Sequence, residues 1–111
     1  MDSDLKAWLF DINSAIEEIE SYFPEGQKKF SEYSKDLKTK RAVERNLEII
    51  GEAVRRLLDH DHSIALSNSR KIIDTRNRIA HGYDTVSDDV IWGIIINHLP
   101  KLKSEVERLL D

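Results

Sequence analysis

The sequence predicts an all-α fold: an up-and-down bundle of four main helices, with a short extra helical piece and a last helix kinked at a proline. Three observations carry this. Apolar residues recur three and four apart along most of the chain, no stretch alternates apolar with polar residues as a half-buried strand does, and helix-starting and helix-stopping residues punctuate the stripes.

The first helix carries Leu5, Trp8, Leu9, Ile12, Ile16, Ile19 and Tyr22 on one stripe, with Asp2 or Ser3 as its cap and Pro24 and Gly26 as its stop. Residues 30–33 suit a short helical piece. The next long element puts Val43, Leu47, Ile50, Val54 and Leu57 on one face and runs out at Asp59, His60, Asp61 and His62. Ser67 or Asn68 can cap a third long helix that ends near His81 and Gly82, glycine standing where a left-handed residue is wanted. Ser87, followed by Asp88 and Asp89, starts the last helix with two carboxylates at the positive end of its dipole. Pro100 lies inside that helix, where it removes a backbone donor and predicts the kink. Trp92, Ile94, Ile95 and Ile96 make the same helix apolar around much of its circumference, which suits either a homodimer interface or a well-wrapped bundle helix.

At 111 residues the chain predicts one domain over 1–111. It has no cysteine, so disulfides and thiolate metal sites are excluded and a reducing, cytoplasmic compartment is expected. No apolar run reaches signal or membrane-spanning length, so no membrane association is expected. The net charge of -4 gives no global attraction to nucleic acid. Two basic segments interrupt it: Lys35, Lys38, Lys40, Arg41 and Arg45, then Arg70, Lys71, Arg76 and Arg78. They either line one cleft or are solvated helix faces.

Within the stretch RNRIAHGYD at 76–84, Arg76 occupies an unusual angle. With Ile72 at zero and about 100° per residue, Ile79 falls near -20°, Arg76 near 40°, Ala80 near 80° and Ile73 near 100°. The guanidinium is flanked by apolar residues and needs a partner, a carboxylate or carbonyl on a facing helix with Asn46 as one candidate, or a route to solvent along its stem. His81 follows five residues on, about 140° further round an ideal helix. The two reach one ligand atom only if the helix unwinds at His81 and Gly82 or if two chains build the site. Asn77, four residues before His81, can orient the imidazole, and Tyr83 returns to the arginine's side if the turn persists. No carboxylate is forced into this group, which argues against a metal, and no cofactor is called for.

The segment RNRIAHGY resembles the signature of the HEPN superfamily. Taken with RNLEIIGEA earlier and LPKLKSEVERLL at the end, it resembles more specifically the HepT (DUF86) toxins, over about residues 5–110. The resemblance implies a HEPN-like domain and a metal-independent endoribonuclease that works as a homodimer, with the Arg-His motifs facing one another between subunits. It implies catalytic roles for Arg76 and His81, a supporting role for Asn77, and Tyr83 as the tyrosine to which a minimal nucleotidyltransferase antitoxin transfers AMP from ATP. Such chemistry suits the residue types. RNA brings its own 2′-hydroxyl nucleophile, imidazole exchanges protons near neutral pH, and guanidinium binds phosphate through two parallel hydrogen bonds. Arg70, Lys71, Arg78, Lys40 and Arg41 are candidate RNA contacts, with tRNA the first substrate to try. The remaining histidines invite blander assignments: His60 and His62 as turn residues, His98 as a packing or surface residue. Trp8 and Trp92 are expected to be core or interface anchors. A non-catalytic nucleotide- or RNA-binding dimer is the alternative, and a bundle that only pairs with a partner protein leaves Arg76 unexplained.

Overall fold

The computed structural model describes residues 2–24, 28–82 and 86–111, which form an all-α bundle. Its elements are α1 (Ser3–Ser21), α2 (Phe30–Lys35), α3 (Leu37–His60), α4 (Ser69–His81), α5 (Asp88–Gly93), a π-helical turn (Ile94–His98) and α6 (Leu99–Leu110). The four main helices of the sequence are α1, α3, α4 and the composite of α5, the π turn and α6.

Local chemistry sets the element ends. Asp2 Oδ1 accepts the Leu5 N–H at 2.9 Å and starts α1, whose stripe of Leu5, Leu9, Ile12, Ala15, Ile16 and Ile19 is buried. Trp8 and Tyr22 flank that stripe half-buried, and Gly26 lies outside the described residues. Asp36 accepts both the backbone N–H and the hydroxyl of Thr39 and starts α3. Gly82 ends α4 with φ +66° while its N–H donates to Arg78 O. Ser87 Oγ accepts the Val90 N–H at 3.3 Å and starts α5.

The start of α4 departs from the sequence reading. Asn68 holds the N-cap position with φ 60° and offers no side-chain cap. Ser67 turns away, its N–H and Oγ donating to the two oxygens of Glu105 on α6 at 2.9 and 2.6 Å. These two bonds to a charged acceptor tie the loop after α3 to α6.

At Pro100 the expected interruption takes a particular form. Residues 88–110 are helical without a gap, and the turn before the proline widens into the π helix, with Leu99 N–H donating to Ile94 O five residues back. The apolar circumference of this last helix is largely absorbed inside the protomer. Trp92 packs edge-on or tilted against Phe23, Phe30 and Tyr33 at centroid distances of 5.3–5.9 Å, and Ile94 and Ile95 are buried. Ile96 alone of that run remains exposed, at 39%. Trp92 is thus a core anchor.

α3 is the central helix, packed along α1 on one side and α4 on the other, while α6 closes against α1. Asn46, one of two buried polar residues among those described, faces α1: its amide donates to Tyr22 Oη and to Ala42 O, both at 3.1 Å. It is therefore no partner of Arg76, which lies on the other side of α3. The Cα envelope measures 41 × 34 × 18 Å, its thinnest dimension under two helix diameters, so each long helix keeps an outward face. No helix among the described residues is long and apolar enough to cross a membrane.

Because Ser67 and Glu105 bridge the loop after α3 to α6, Glu105→Ala should destabilise the fold by about 1–3 kcal/mol, leaving two donors without their acceptor. Urea unfolding checks this; an unchanged midpoint would show that the bridge contributes nothing.

Candidate active site

α4 comes closest to α3 at Gly51. A Cβ built there would overlap Arg76 Cβ, and would lie 2.8 Å from Arg76 Cγ and 3.3 Å from Ile72 O. A mid-helix glycine costs about 1 kcal/mol relative to alanine, and here its bare face gives the stem of Arg76 a seat. The helical angle of Arg76 therefore translates as the sequence suggested: its side chain is 26% exposed, half-buried between Ile72 and Ile73.

The head group is anchored from both helices. Arg76 Nη2 stands 2.8 Å from Glu52 Oε2 on α3, and Nη1 donates to Asn77 Oδ1 at 2.9 Å. Glu52 Oε2 is sealed from solvent and no N–H points squarely at it, so Arg76 is its charge partner rather than an aligned donor. The other oxygen, Oε1, accepts from Arg55 Nη2 at 2.7 Å and Arg56 Nε at 2.9 Å. One carboxylate thus gathers three guanidinium groups. Hydrogen bonds from Arg55 and Arg56, then the charges of Arg55 and Arg76, hold its pKa down from 4.5 to about 2 despite partial burial.

Glu52 is the carboxylate on a facing helix that the angle of Arg76 allowed for but that sequence reasoning did not identify. It lies within RNLEIIGEA, and the signal available there was Gly51, an interior glycine that marks a close helix approach with a carboxylate next to it.

Arg76 and Glu52 form part of an open groove of about 360 Å³ on the outer face of α3, walled on the α1 side by Trp8 and Asp11 and floored by Glu48, Ile49, Ala53 and Arg56. Ile49 is 42% exposed there. His81 does not share that groove. α4 stays helical through His81 before Gly82 turns, so His81 remains about 140° round from Arg76 and is exposed. Tyr83 lies outside the described residues.

The basic candidates separate into two groups. Arg70, Lys71 and Arg78 line a second groove of about 500 Å³ with Asn68, Asp74, Thr75 and Val90. Among the described residues none of those three cations has an ion-pair partner. Lys40, by contrast, pairs with Asp88 at 3.1 Å and donates to Ser34 O, while Arg41 pairs with Glu44 at 2.8 Å. The two basic segments therefore do not line one cleft with all their charges.

The other histidines are engaged locally. His60 Nε2 lies 2.8 Å from Asp2 Oδ2 and its ring meets Trp8 edge-on at 5.4 Å, while Asp61 accepts from Ser63 N–H and Oγ to shape the turn that holds His62. Trp8 is thus packed on the bundle as well as lining the groove. His98, half-buried on the π turn, has its pKa lowered by burial and by the charge of Lys71.

The family described as ribonuclease HepT-like matches residues 12–109. The chain is 32% identical over 108 residues to a provisionally named RNase of Methanocaldococcus jannaschii, covering 96% of this chain and 88% of that protein. It is 34% identical over 105 residues to a provisionally named ribonuclease HepT of Thermococcus cleftensis, covering 94% of each. A further provisionally named RNase of M. jannaschii is 30% identical over 106 residues, again with 94% of each chain covered. No solved structure matches.

A carboxylate depressed by folding adds stability above its unfolded pKa and loses it as pH falls through the folded value. For Glu52 that window runs from about pH 4.5 down to about 2. Wild-type stability should therefore fall more steeply across it than that of Glu52→Gln, in urea titrations at stepped pH. Parallel profiles would show that the three-arginine node adds nothing to folding.

Proposed function

The chain belongs to the ribonuclease HepT-like family, and we propose that within it this protein is a metal-independent endoribonuclease toxin, active as a homodimer, with Arg76 and His81 as catalytic residues. The observation that supports this best is the state of Arg76. Its stem is seated on Gly51 and its two terminal nitrogens face Glu52 and Asn77, while its Nε–H has no partner among the described residues. A fixed guanidinium with an N–H to spare suits a phosphate diester, whose non-bridging oxygens accept charge-assisted hydrogen bonds.

The ribose 2′-hydroxyl attacks phosphorus, the P–O5′ bond breaks, and a 2′,3′-cyclic phosphate and a 5′-hydroxyl result. Arg76 offsets the charge that builds on the non-bridging oxygens. Imidazole takes the 2′ proton and returns one to the 5′ oxygen. The regular helix through His81 supports a site assembled from two chains, because one chain holds Arg76 and His81 on different sides of α4. Arg70, Lys71 and Arg78, without carboxylate partners, fit contacts to RNA backbone phosphates; Lys40 and Arg41 are already neutralised. Tyr83, two residues beyond His81, is the proposed acceptor of AMP from a minimal nucleotidyltransferase antitoxin. A nucleotide attached there sets a bulky anion beside the cleft and excludes the substrate phosphate.

The test is cleavage of total tRNA in EDTA. Wild type should cut, and His81→Ala and Arg76→Ala should each lose about a hundredfold to ten-thousandfold. His81→Ala should melt like wild type. Arg76→Ala should cost less than the ~3–5 kcal/mol of an orphaned buried charge, since Glu52 keeps Arg55 and Arg56. Refolding the two inactive variants together should restore cleavage, each chain supplying the residue its partner lacks. Wild-type cleavage by folded His81→Ala would end this mechanism.

For the antitoxin, incubation with the cognate nucleotidyltransferase and ATP should add one AMP to wild type and none to Tyr83→Phe. An adduct mapped by mass spectrometry to another residue would refute the assignment.

A further inference from the structure

We infer that Glu52 is the positioning residue for Arg76: a carboxylate on α3 that fixes the guanidinium of an arginine on α4 in the wall of the groove. This rests on Arg76 being the catalytic arginine. Two independent features of α3 converge on that one side chain. Gly51 seats the stem so closely that no larger residue fits without moving it, and Glu52, next in sequence, meets the head group at 2.8 Å. Stem and head are therefore held from consecutive backbone positions, which leaves the long arginine chain few rotamers.

The division of labour on the carboxylate points the same way. Arg55 and Arg56 both take Oε1, and Arg55 also reaches Asp59 at 3.1 Å, so these neighbours on α3 hold Glu52 in one orientation. Oε2 is left for Arg76 alone, inside the boundary of the groove. A carboxylate surrounded by three guanidinium groups stays ionised at any working pH, so it is no proton acceptor for the reaction. Its effect on chemistry passes through Arg76. Asn77 completes the hold from the opposite terminal nitrogen.

Misplacing a reacting group by about 1 Å costs up to about a hundredfold in rate. Glu52→Gln keeps a carbonyl for Arg55 and Arg56 but removes the charge that holds Arg76. It should lower kcat for tRNA cleavage on the order of tenfold to a hundredfold with little change in KM, and Glu52→Asp should recover part of the loss. In the Arg76→Ala background Glu52→Gln should have no further effect, because the residue it acts through is gone. Full activity in folded Glu52→Gln, or an equal loss with and without Arg76, would overturn the inference.

A second readout does not depend on cleavage. In ¹⁵N-arginine NMR spectra the Arg76 Nε–H signal of wild type should show hindered guanidinium rotation, and in Glu52→Gln that rotation should become fast. Gly51→Ala, which displaces the stem, should release it likewise. A guanidinium equally immobile in all three proteins would sink the assignment. If wild type cuts no RNA, the ribonuclease reading falls while the NMR comparison still decides what Glu52 does to Arg76.

Discussion

At Gly51 the backbone of α3 touches the stem of Arg76, and that contact sets most of what surrounds it. It draws α4 close to α3, aligns Arg76 with Glu52, and sends the head group toward the outer face of the bundle. Hydrophobic burial explains why the two helices pack, since Ile72, Leu47, Ile50 and Val54 are almost wholly buried. It does not explain why the separation is so short at one level. A missing Cβ does, and the position it frees is filled by the methylenes of a charged residue.

A second pattern is the uneven neutralisation of charge. The net charge is -4, yet carboxylates are concentrated on particular cations. Glu52 serves three arginines, Asp88 holds Lys40, and Glu44 holds Arg41. The face of α4 bearing Arg70, Lys71 and Arg78 has Asp74 alone among its groove residues as an opposing charge, and none of the three cations is ion-paired among the described residues. A protein that is acidic on average thus keeps a local positive potential on one helix, and potential is local in salt water, where a charge is felt over about 8–10 Å.

What the sequence disclosed and what it withheld divide along a physical line. Features set by neighbours within a turn were legible: the caps at Asp2 and Ser87, the left-handed Gly82, and the half-buried angle of Arg76 on its own helix. Features set by contacts between helices were not. The angle of Arg76 says that it needs a partner, but the choice of Glu52 over Asn46 depends on which side of α3 receives α4. Lys40 appeared to be a free cation because Asp88 is 48 residues away in sequence. Ser67 was a reasonable cap on local grounds, and the carboxylate of Glu105 that receives its N–H and hydroxyl lies on another helix, 38 residues on. The widened turn before Pro100 is intermediate: proline made an interruption certain, while its form depended on keeping Ile94 and Ile95 in the core.

The thinness of the molecule has a consequence of its own. With a Cα envelope 18 Å thick, the interior is filled by the apolar core and leaves no room in which a polar reaction could be shut away from water. Arg76 therefore stands at an open wall, where solvent holds its pull on an anion to about 4 kcal/mol at 4 Å, well below what a dry interior would give. A chamber there would take a second wall. Folding alone supplies the fixed charges, and a body that closed over the groove would supply the dry surroundings that give them strength, so the potency of a site built this way would be a matter of encounter as much as of shape.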